Sequence, residues 1–151
     1  MTLDETGDDE VIGMICIKDP EKETVMVVSE QGYGKRSEIE DYRITNRGGK
    51  GVKTLNITEK TGNLVAIKSV TDENDLVIIN KSGITLRMKV ADVRIMGRAT
   101  QGVRLINLEK RNDEIASVCK VLSETESDSS NSENIDSASE INEAEASETT
   151  E

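Results

Sequence analysis

Short apolar runs rich in valine and isoleucine recur along the first 121 residues, and turn-forming residues separate them. Such runs are typical of β-strands, because branched side chains pack well on a pleated sheet. The predicted strands are Thr24–Val28, Val52–Thr58, Leu64–Val70, Leu76–Asn80, Val103–Leu108 and Ile115–Val121. Almost no segment of this part has the period and length of an amphipathic helix, so the pattern predicts an all-β fold.

The pattern of residues 25–70 returns at residues 76–121, at a constant offset of 51 and without a gap. Repetition at this period is typical of propeller-like arrays, in which four-stranded blades stack side by side. We therefore predict one blade over 25–75 and a final blade over 76–121. The identical pairs are Gly32/Gly83, Arg36/Arg87, Asp41/Asp92, Arg43/Arg94, Ile44/Ile95, Arg47/Arg98, Gly51/Gly102, Val52/Val103, Asn56/Asn107 and Val70/Val121.

Residues 1–24 precede the first copy and are rich in acidic side chains. Within them, Val11–Ile17 resembles Leu64–Val70, the last predicted strand of the first copy. This likeness predicts that the segment begins with the last strand of an earlier, truncated blade.

Glycine ends or interrupts several of the polar stretches between the apolar runs. Ser29–Gly32 and Asn80–Gly83 lie at equivalent positions, and Lys60–Asn63 contains Gly62. Glycine accepts the left-handed backbone of tight turns, so hairpin turns are predicted at all three. Ile39–Tyr42 and the equivalent Val90–Val93 fit either a short strand or a single helical turn.

The net charge of −11 is unevenly distributed. Residues 122–151 contain ten acidic residues and no basic one, whereas residues 25–121 contain 17 basic and 12 acidic residues. The terminal segment has too few apolar residues to offset its ordering entropy, so we predict a disordered acidic tail. The positive central part is compatible with a polyanionic partner.

The residue types that usually carry catalysis or bind metals are scarce. The chain has no histidine and two cysteines, Cys16 and Cys119, which we expect to be small core residues in a reducing compartment. We expect no catalytic residue, no metal site and no cofactor. No apolar run approaches the length of a membrane span, and the first ten residues are acidic, so we predict a cytoplasmic protein without a membrane partner.

Glycines beside cations at Arg47–Gly51 let the backbone approach a phosphate while the side chains neutralise it. The alternative is a tight turn with solvated charges. Repetition of the cations favours a basic stripe, and with two tyrosines as the sole aromatic residues, duplex backbone contact is favoured over stacking on single strands. The candidate DNA-binding residues are Lys35, Arg36, Arg43, Arg47, Lys50, Lys53, Arg87, Arg94, Arg98 and Arg104.

Several glycine-rich and basic motifs are spaced along the two copies. They are Gly32-Tyr33-Gly34-Lys35-Arg36, Tyr42-Arg43, Asn46-Arg47-Gly48-Gly49-Lys50-Gly51-Val52 and Arg98-Ala99-Thr100-Gln101-Gly102-Val103. Together they resemble the last two blades of the C-terminal domain of bacterial DNA gyrase A, over about residues 12–121, and the acidic tail also fits this family. The resemblance implies a partial β-pinwheel, a propeller variant whose blades exchange a strand and whose basic rim bends DNA.

In this family the complete glycine-rich box, Gln-Arg-Arg-Gly-Gly-Lys-Gly, lies on the first blade, and the resemblance implies that Asn46–Gly51 is a degenerate echo of it. Asn46 stands at its second position, and Arg47–Gly51 match the last five. The resemblance thus implies DNA binding without the complete element that the family uses for wrapping. Tyr33 and Tyr42 belong to the repeat motifs, so neither is expected to be the family's cleavage tyrosine.

By this resemblance, the chain supports ATP-dependent supercoiling by a type IIA topoisomerase, an isomerase, without contributing catalytic residues. The implied partners are duplex DNA, the remainder of gyrase A and the gyrase B protein in an A2B2 enzyme associated with the nucleoid. Two alternatives remain open. One is the C-terminal domain of the C protein of topoisomerase IV, and the other is a propeller-like protein-interaction module.

Overall fold

The computed structural model describes residues 10–49, 51–108 and 112–123. Antiparallel strands and two short 3-10 turns, Ile39–Asp41 and Val90–Asp92, make up its regular structure, so the predicted all-β class is confirmed. The strands are β1 (Thr24–Ser29), β2 (Tyr33–Glu38), β3 (Leu64–Val70), β4 (Asn74–Asn80), β5 (Thr85–Lys89), β6 (Val103–Arg104) and β7 (Ile115–Leu122). In the described part of the chain, no helix is long enough to cross a membrane.

The strands form two sheets, with orders β3-β1-β2-β6 and β5-β4-β7. Individual hydrogen bonds of the first repeat recur 51 residues later in the second repeat. Glu30 N donates to Asn63 O at 2.9 Å, and the equivalent Lys81 N donates to Glu114 O at 2.8 Å. The register also shifts at equivalent places, between Val28 and Ser29 in one sheet and between Ile79 and Asn80 in the other.

Two of the three glycine turns form the predicted hairpins. Gly62 also has a left-handed φ, 66°, but its turn is not a hairpin, because Val52–Thr58 before it forms no strand. Gly32 and Gly83 have φ angles of 80° and 86°. These left-handed conformations let β1 turn directly into β2, and β4 into β5. The segments after β2 and β5, for which the sequence left two possibilities open, are the 3-10 turns.

Equivalent connecting segments follow the two 3-10 turns, and we call them the first strap (residues 42–56) and the second strap (residues 93–107). The second strap leaves its own repeat and crosses to the outer edge of β2. Met96 N donates to Arg36 O at 2.8 Å, β6 pairs with β2, and Leu105 N donates to Gly32 O at 2.8 Å. The predicted boundary between residues 75 and 76 therefore does not separate the sheets, because the first sheet takes its outer strand from the second repeat.

Three predicted strands are shortened or missing. Val103–Leu108 contains the two-residue β6, and neither Val52–Thr58 nor Val11–Ile17 forms a strand. A strand requires a hydrogen-bonding neighbour, and among the described residues no strand pairs with the first strap or with the N-terminal segment. The extended segment around Ile15 packs instead on the apolar face of β1.

The main core lies between the two sheets. Its buried members are Met26, Val28, Ala66, Val70, Leu76, Ile78, Val90, Val93, Leu108, Ile115 and Val118. Each large aliphatic side chain buried there contributes roughly 1.5–3 kcal/mol. A smaller cluster of Val25, Val27 and Leu55 covers the opposite face of β1. Cys16 and Cys119, which we expected in the core, are both exposed, because their side chains point away from these clusters.

The predicted tail boundary at residue 122 falls at the end of β7. Leu122 completes that strand, and Ser123 N donates to Glu73 O at 3.0 Å. The remainder of the predicted disordered tail lies outside the described residues.

Candidate nucleic-acid interface

The first strap carries the glycine-flanked cations. It contains a turn in which Gly49 N donates to Asn46 O at 3.3 Å and Gly48 has a φ of 69°. Arg43, Arg47 and Lys53 are exposed along this strap. Lys50 lies outside the described residues. The turn exposes Arg47 to solvent. This fits both interpretations of the sequence, a phosphate-binding turn and a tight turn with solvated charges.

The second strap repeats this turn 51 residues later. Thr100 N donates to Gly97 O at 3.4 Å, which is the bond equivalent to that between Gly49 and Asn46. Arg98 occupies the position of Arg47 and is half-buried. Equivalent arginines therefore lie at equivalent turns.

One hydrogen bond joins the two straps. Asn56 N donates to Thr100 O at 3.1 Å, so Lys53 and Arg98 each lie within three residues of the contact. Neither of these cations has an ion-pair partner among the described residues, and the same holds for Arg47. The straps thus form a surface on which these three positive charges are not neutralised by a carboxylate of the described residues.

Two further cations, Arg104 and Lys60, lie against the ring of Tyr33. The Arg104 guanidinium lies 5.5 Å from the centre of the Tyr33 ring and its Nη2 donates to the Tyr33 hydroxyl at 3.0 Å. Lys60 Nζ lies 5.7 Å from the same ring. Such cation–π contacts hold a cation in place. Sequence reasoning missed Lys60, because its proximity to Tyr33 arises from the fold.

Two predicted DNA contacts, Lys35 and Arg36, lie in the interior. Lys35 is 0% exposed, and its Nζ donates to Gly97 O at 2.7 Å and also to Arg98 O. Burial lowers the pKa of Lys35, nearby Arg98 lowers it further, and Asp41 opposes these effects. Lys35 cannot meet a phosphate directly, since the second strap covers it.

Arg36 is 3% exposed and is bonded on several sides. Its Nη1 donates to Asp72 Oδ1 at 2.7 Å and to Val90 O at 3.1 Å, and its Nε donates to Thr24 Oγ1 at 3.1 Å. These bonds tie β2 to the 3-10 turn of the second repeat. The side chain is therefore structural, and we remove it from the proposed DNA contacts.

Arg87 and Arg94 are exposed. Arg87 Nε donates to Asp75 Oδ2 at 2.8 Å, and this carboxylate also accepts a hydrogen bond from the Ser123 hydroxyl. The Ser123 bond and then the Arg87 bond lower the pKa of Asp75. Arg87 is thus partly neutralised, in contrast to Arg47, Lys53 and Arg98. No group of three potential metal ligands occurs in the described part of the chain.

The model of the family described as the DNA gyrase C-terminal domain, a β-propeller, matches residues 23–71 and 74–119. The chain is 46% identical over 125 residues to the DNA gyrase A protein of Staphylococcus aureus strain NCTC 8325, a match that covers 83% of the chain and 14% of that relative. It is 52% identical over 100 residues to the DNA gyrase A protein of strain MRSA252, covering 66% of the chain and 11% of the relative. The chain thus spans a small part of the length of these relatives.

Solved structures agree with this match. A structure of the DNA gyrase A C-terminal domain superimposes with a TM-score of 0.62 at 27% identity, covering 68% of this chain and 34% of the other. The C-terminal domain of a DNA topoisomerase IV superimposes with a TM-score of 0.64 at 20% identity, covering 70% of this chain and 32% of the other. The second likeness, at this identity, concerns the fold alone.

Proposed function

Because the chain belongs to the DNA gyrase C-terminal domain family, we propose that it binds duplex DNA, without sequence preference, through its two straps. The observation that carries this proposal is the Asn56 N to Thr100 O bond of 3.1 Å, which joins two sets of cations into one surface. Arginine and lysine neutralise phosphates, and phosphate contacts carry no sequence information. The assigned contacts are Arg43, Arg47, Lys50, Lys53, Arg98 and Arg104.

This binding supports ATP-dependent supercoiling by a type IIA topoisomerase in our proposal. The partners are then the remainder of gyrase A and the gyrase B protein in an A2B2 enzyme, acting in the cytoplasm at the nucleoid. The chain itself supplies DNA contacts, while catalytic residues and cofactors belong to other parts of the enzyme. The chain spans 14% of its S. aureus relative, so these wider roles rest on the family.

The salt dependence of binding tests the proposal. Fluorescence anisotropy is measured with two labelled duplexes of equal length and unrelated sequence, between about 50 and 200 mM salt. We expect equal affinities for both duplexes, with a Kd of about 10⁻⁴ to 10⁻⁶ M at physiological salt and a slope of log K against log salt of about −0.9 per phosphate contact. Binding that does not respond to salt contradicts the proposal.

A paired substitution locates the surface. Arg47→Gln with Lys53→Gln is expected to flatten the salt slope by about 2 without changing the preference between duplexes. Lys22→Gln with Lys120→Gln is the matched control, because it removes two exposed cations that lie outside the straps. A wild-type slope in the strap variant, or an equal loss in the control, would exclude the straps as the contact surface.

This sequence does not contain the family's complete glycine-rich box, only its degenerate echo at Asn46–Gly51. We therefore expect binding without wrapping. A closed plasmid relaxed by a topoisomerase in the presence of the chain should therefore keep the linking number of the protein-free control. A shift of the topoisomer distribution would show that the remaining box residues suffice to wrap DNA.

The acidic tail acts as a competitor for the same cations in our proposal. Its ten acidic residues follow a basic surface in the same chain, so tail and phosphates attract the same side chains. Replacing these acids with glutamine and asparagine in the full chain should tighten DNA binding, most at low salt. Equal affinities would exclude competition by the tail.

A protein-interaction module is the second candidate function. It is favoured by β5, whose outer edge is unpaired among the described residues, and by Ile44, whose side chain is fully exposed. Open strand edges bind other strands through their backbone groups. A complex with another protein that resists salt, together with no measurable affinity for duplex DNA, would favour this function over the first.

A further inference from the structure

Lys35 is a fully buried cation whose partners are carbonyl oxygens. Its Nζ donates to Gly97 O at 2.7 Å and to Arg98 O, and no ion pair of the described residues includes it. Lysine is almost never fully buried unless it is paired. The ammonium group therefore depends on the turn of the second strap for its hydrogen bonds, and the turn in return is fixed by the ammonium group.

Two neighbours of Lys35 bind the same strap. Arg36 O accepts from Met96 N at 2.8 Å, and Ser37 Oγ donates to Met96 O at 2.9 Å. Successive residues of β2 thus hold the strap up to Arg98. This rigid support fixes the turn on a strand, which positions a binding side chain better than an unsupported loop does.

The second repeat shows that a β-strand at this place does not need a lysine. Leu86 occupies the position equivalent to Lys35, and Met88 that of Ser37. Both lie on β5, where no strap covers the edge within the described residues. The polar residues Lys35 and Ser37 therefore occur on the strand that a strap covers. This indicates that Lys35 serves to bind the strap and is not needed to form the sheet.

The bonds of Lys35 determine what the turn presents to solvent. Gly97 O accepts from Lys35 Nζ and also from Thr100 Oγ1 at 2.9 Å, and Arg98 O is bonded to the same ammonium group. Two carbonyl dipoles therefore point inward. Carbonyl oxygens repel anions. Because both carbonyls point inward, they do not oppose a phosphate at the outer face of the turn, where the Arg98 side chain can bind it.

We propose that Lys35 is a positioning residue for DNA binding, which turns the Gly97 and Arg98 carbonyls inward so that Arg98 meets a phosphate of the duplex. The inference rests on the proposed function, because it assigns a role within the same surface. Lys35 itself does not touch the DNA. Its effect on binding passes through Arg98.

A double-mutant cycle in the full chain tests this role. Lys35→Met keeps the apolar stem and removes the donors, and it is compared with Arg98→Gln and with the double variant by anisotropy at several salt concentrations. Each single variant should reduce the salt slope by about 0.9, the value of one phosphate contact. In the double variant, Lys35→Met should cause no further loss, because the contact that it positions is already missing.

Two matched variants separate positioning from the loss of a charge. The cycle of Lys35→Met with Arg47→Gln should be additive, since that arginine lies on the other strap. Leu86→Met changes the equivalent residue of the second repeat and should bind DNA like the wild type. Additive losses with Arg98→Gln, or a wild-type slope for Lys35→Met, would overturn the inference while leaving the proposed function intact. Absence of DNA binding by the wild type would instead contradict the proposed function.

Two further experiments apply if Lys35→Met does not fold. The first is the same cycle with Lys35→Leu, which introduces the residue found at the equivalent position of the second repeat, and the second is a measurement on the wild type. If neither variant folds, hydrogen exchange of the Met96 and Thr100 amides, which donate to Arg36 O and Gly97 O, is compared with and without DNA. A turn held in advance should be protected equally in both states, and protection that appears upon DNA binding alone would refute positioning by Lys35.

Discussion

The two repeats have the same hydrogen-bonding scheme but different surroundings. Five of the six residues of β2 are buried, whereas β5 alternates between exposed and half-buried residues. The second strap covers β2, and no equivalent segment covers β5 in the described part of the chain. The comparison shows that the environment of a residue in this array is set by the neighbouring repeat as much as by its own sequence.

One bond that both repeats share illustrates the difference. Arg36 Nε donates to Thr24 Oγ1 at 3.1 Å, and 51 residues later Arg87 Nε donates to Asp75 Oδ2 at 2.8 Å. The geometry is retained while a hydroxyl replaces a carboxylate. In the first repeat, the negative partner comes instead from Asp72, which lies between the repeats.

The largest contrast is expected for the apolar residues that directly follow the two straps, Ile57 and Leu108. Leu108 is 3% exposed in the main core, and the equivalent Ile57 is 53% exposed. Leu108→Ala should lower the free energy of unfolding by about 2 to 5 kcal/mol, because it leaves a cavity. Ile57→Ala should change it by less than about 0.5 kcal/mol. Urea denaturation measures both, and equal losses would show that another segment covers Ile57.

Replacing the two arginines should also distinguish the repeats. Arg36→Met removes the donors to Asp72 and to the Val90 carbonyl and should cost about 3 kcal/mol. Arg87→Met breaks a pair whose arginine is 41% exposed, together with a hydrogen bond from Nη2 to Leu122 O at 3.4 Å, and should cost less, about 1 kcal/mol. Chemical denaturation of the two variants gives the comparison. A cost for Arg87→Met that matches that for Arg36→Met would mean that the second sheet is covered as well.

The turn glycines give a smaller difference. Both Gly32 and Gly83 have positive φ, so alanine at either position should cost about 1 kcal/mol or more in backbone strain. A Cβ at Gly32 would lie 2.6 Å from Ile106 O, whereas at Gly83 no described atom lies within 4 Å. Gly32→Ala should therefore cost about 1 kcal/mol more than Gly83→Ala. Thermal unfolding of both variants tests this, and identical melting temperatures would contradict the close approach of the strap.

The smallest effect concerns acid stability. The pKa of Asp75 is lowered in the folded chain from its ordinary value of 3.8, so its contribution to stability is complete above that value and is lost as the pH falls through the lower folded pKa. Asp75→Asn should remove this part of the acid destabilisation. Thr24→Val, at the equivalent position, should change stability equally at all pH values. Urea denaturation between neutral and acidic pH compares them, and an unchanged pH profile for Asp75→Asn would be the contrary result.

Much of the fold was predictable from the pattern of apolar residues. The offset of 51 and the hairpin turns at Gly32 and Gly83 were predicted correctly, and β1, β3, β4, β6 and β7 overlap predicted runs. β2 was missed as a strand because it contains charged and small residues, Tyr33-Gly34-Lys35-Arg36-Ser37-Glu38. Apolar periodicity detects burial by apolar side chains, and here a segment from the other repeat buries polar ones.

For the candidate site, the sequence predicted the positions of the repeated arginines but not which of the cations are buried. The repeated arginines at equivalent turns, Arg47 and Arg98, occupy the places that the sequence indicated. The burial of Lys35 and Arg36 depends on which strand the second strap crosses, and residue types alone do not specify this crossing. Repetition thus identified the positions, while the three-dimensional contacts decided which of the cations face solvent.

The crossing of the second strap has a consequence for the synthesis of the chain. Tyr33 pairs with Arg104, so the outer strand of the first sheet is translated 71 residues after the strand that receives it. At roughly 5 to 20 residues per second, the edge of β2 stays uncovered for several seconds on the ribosome. During this time its backbone groups are open to pairing with other nascent chains. Because the late strand completes the early sheet, we expect the two repeats to fold as one cooperative unit rather than one after the other.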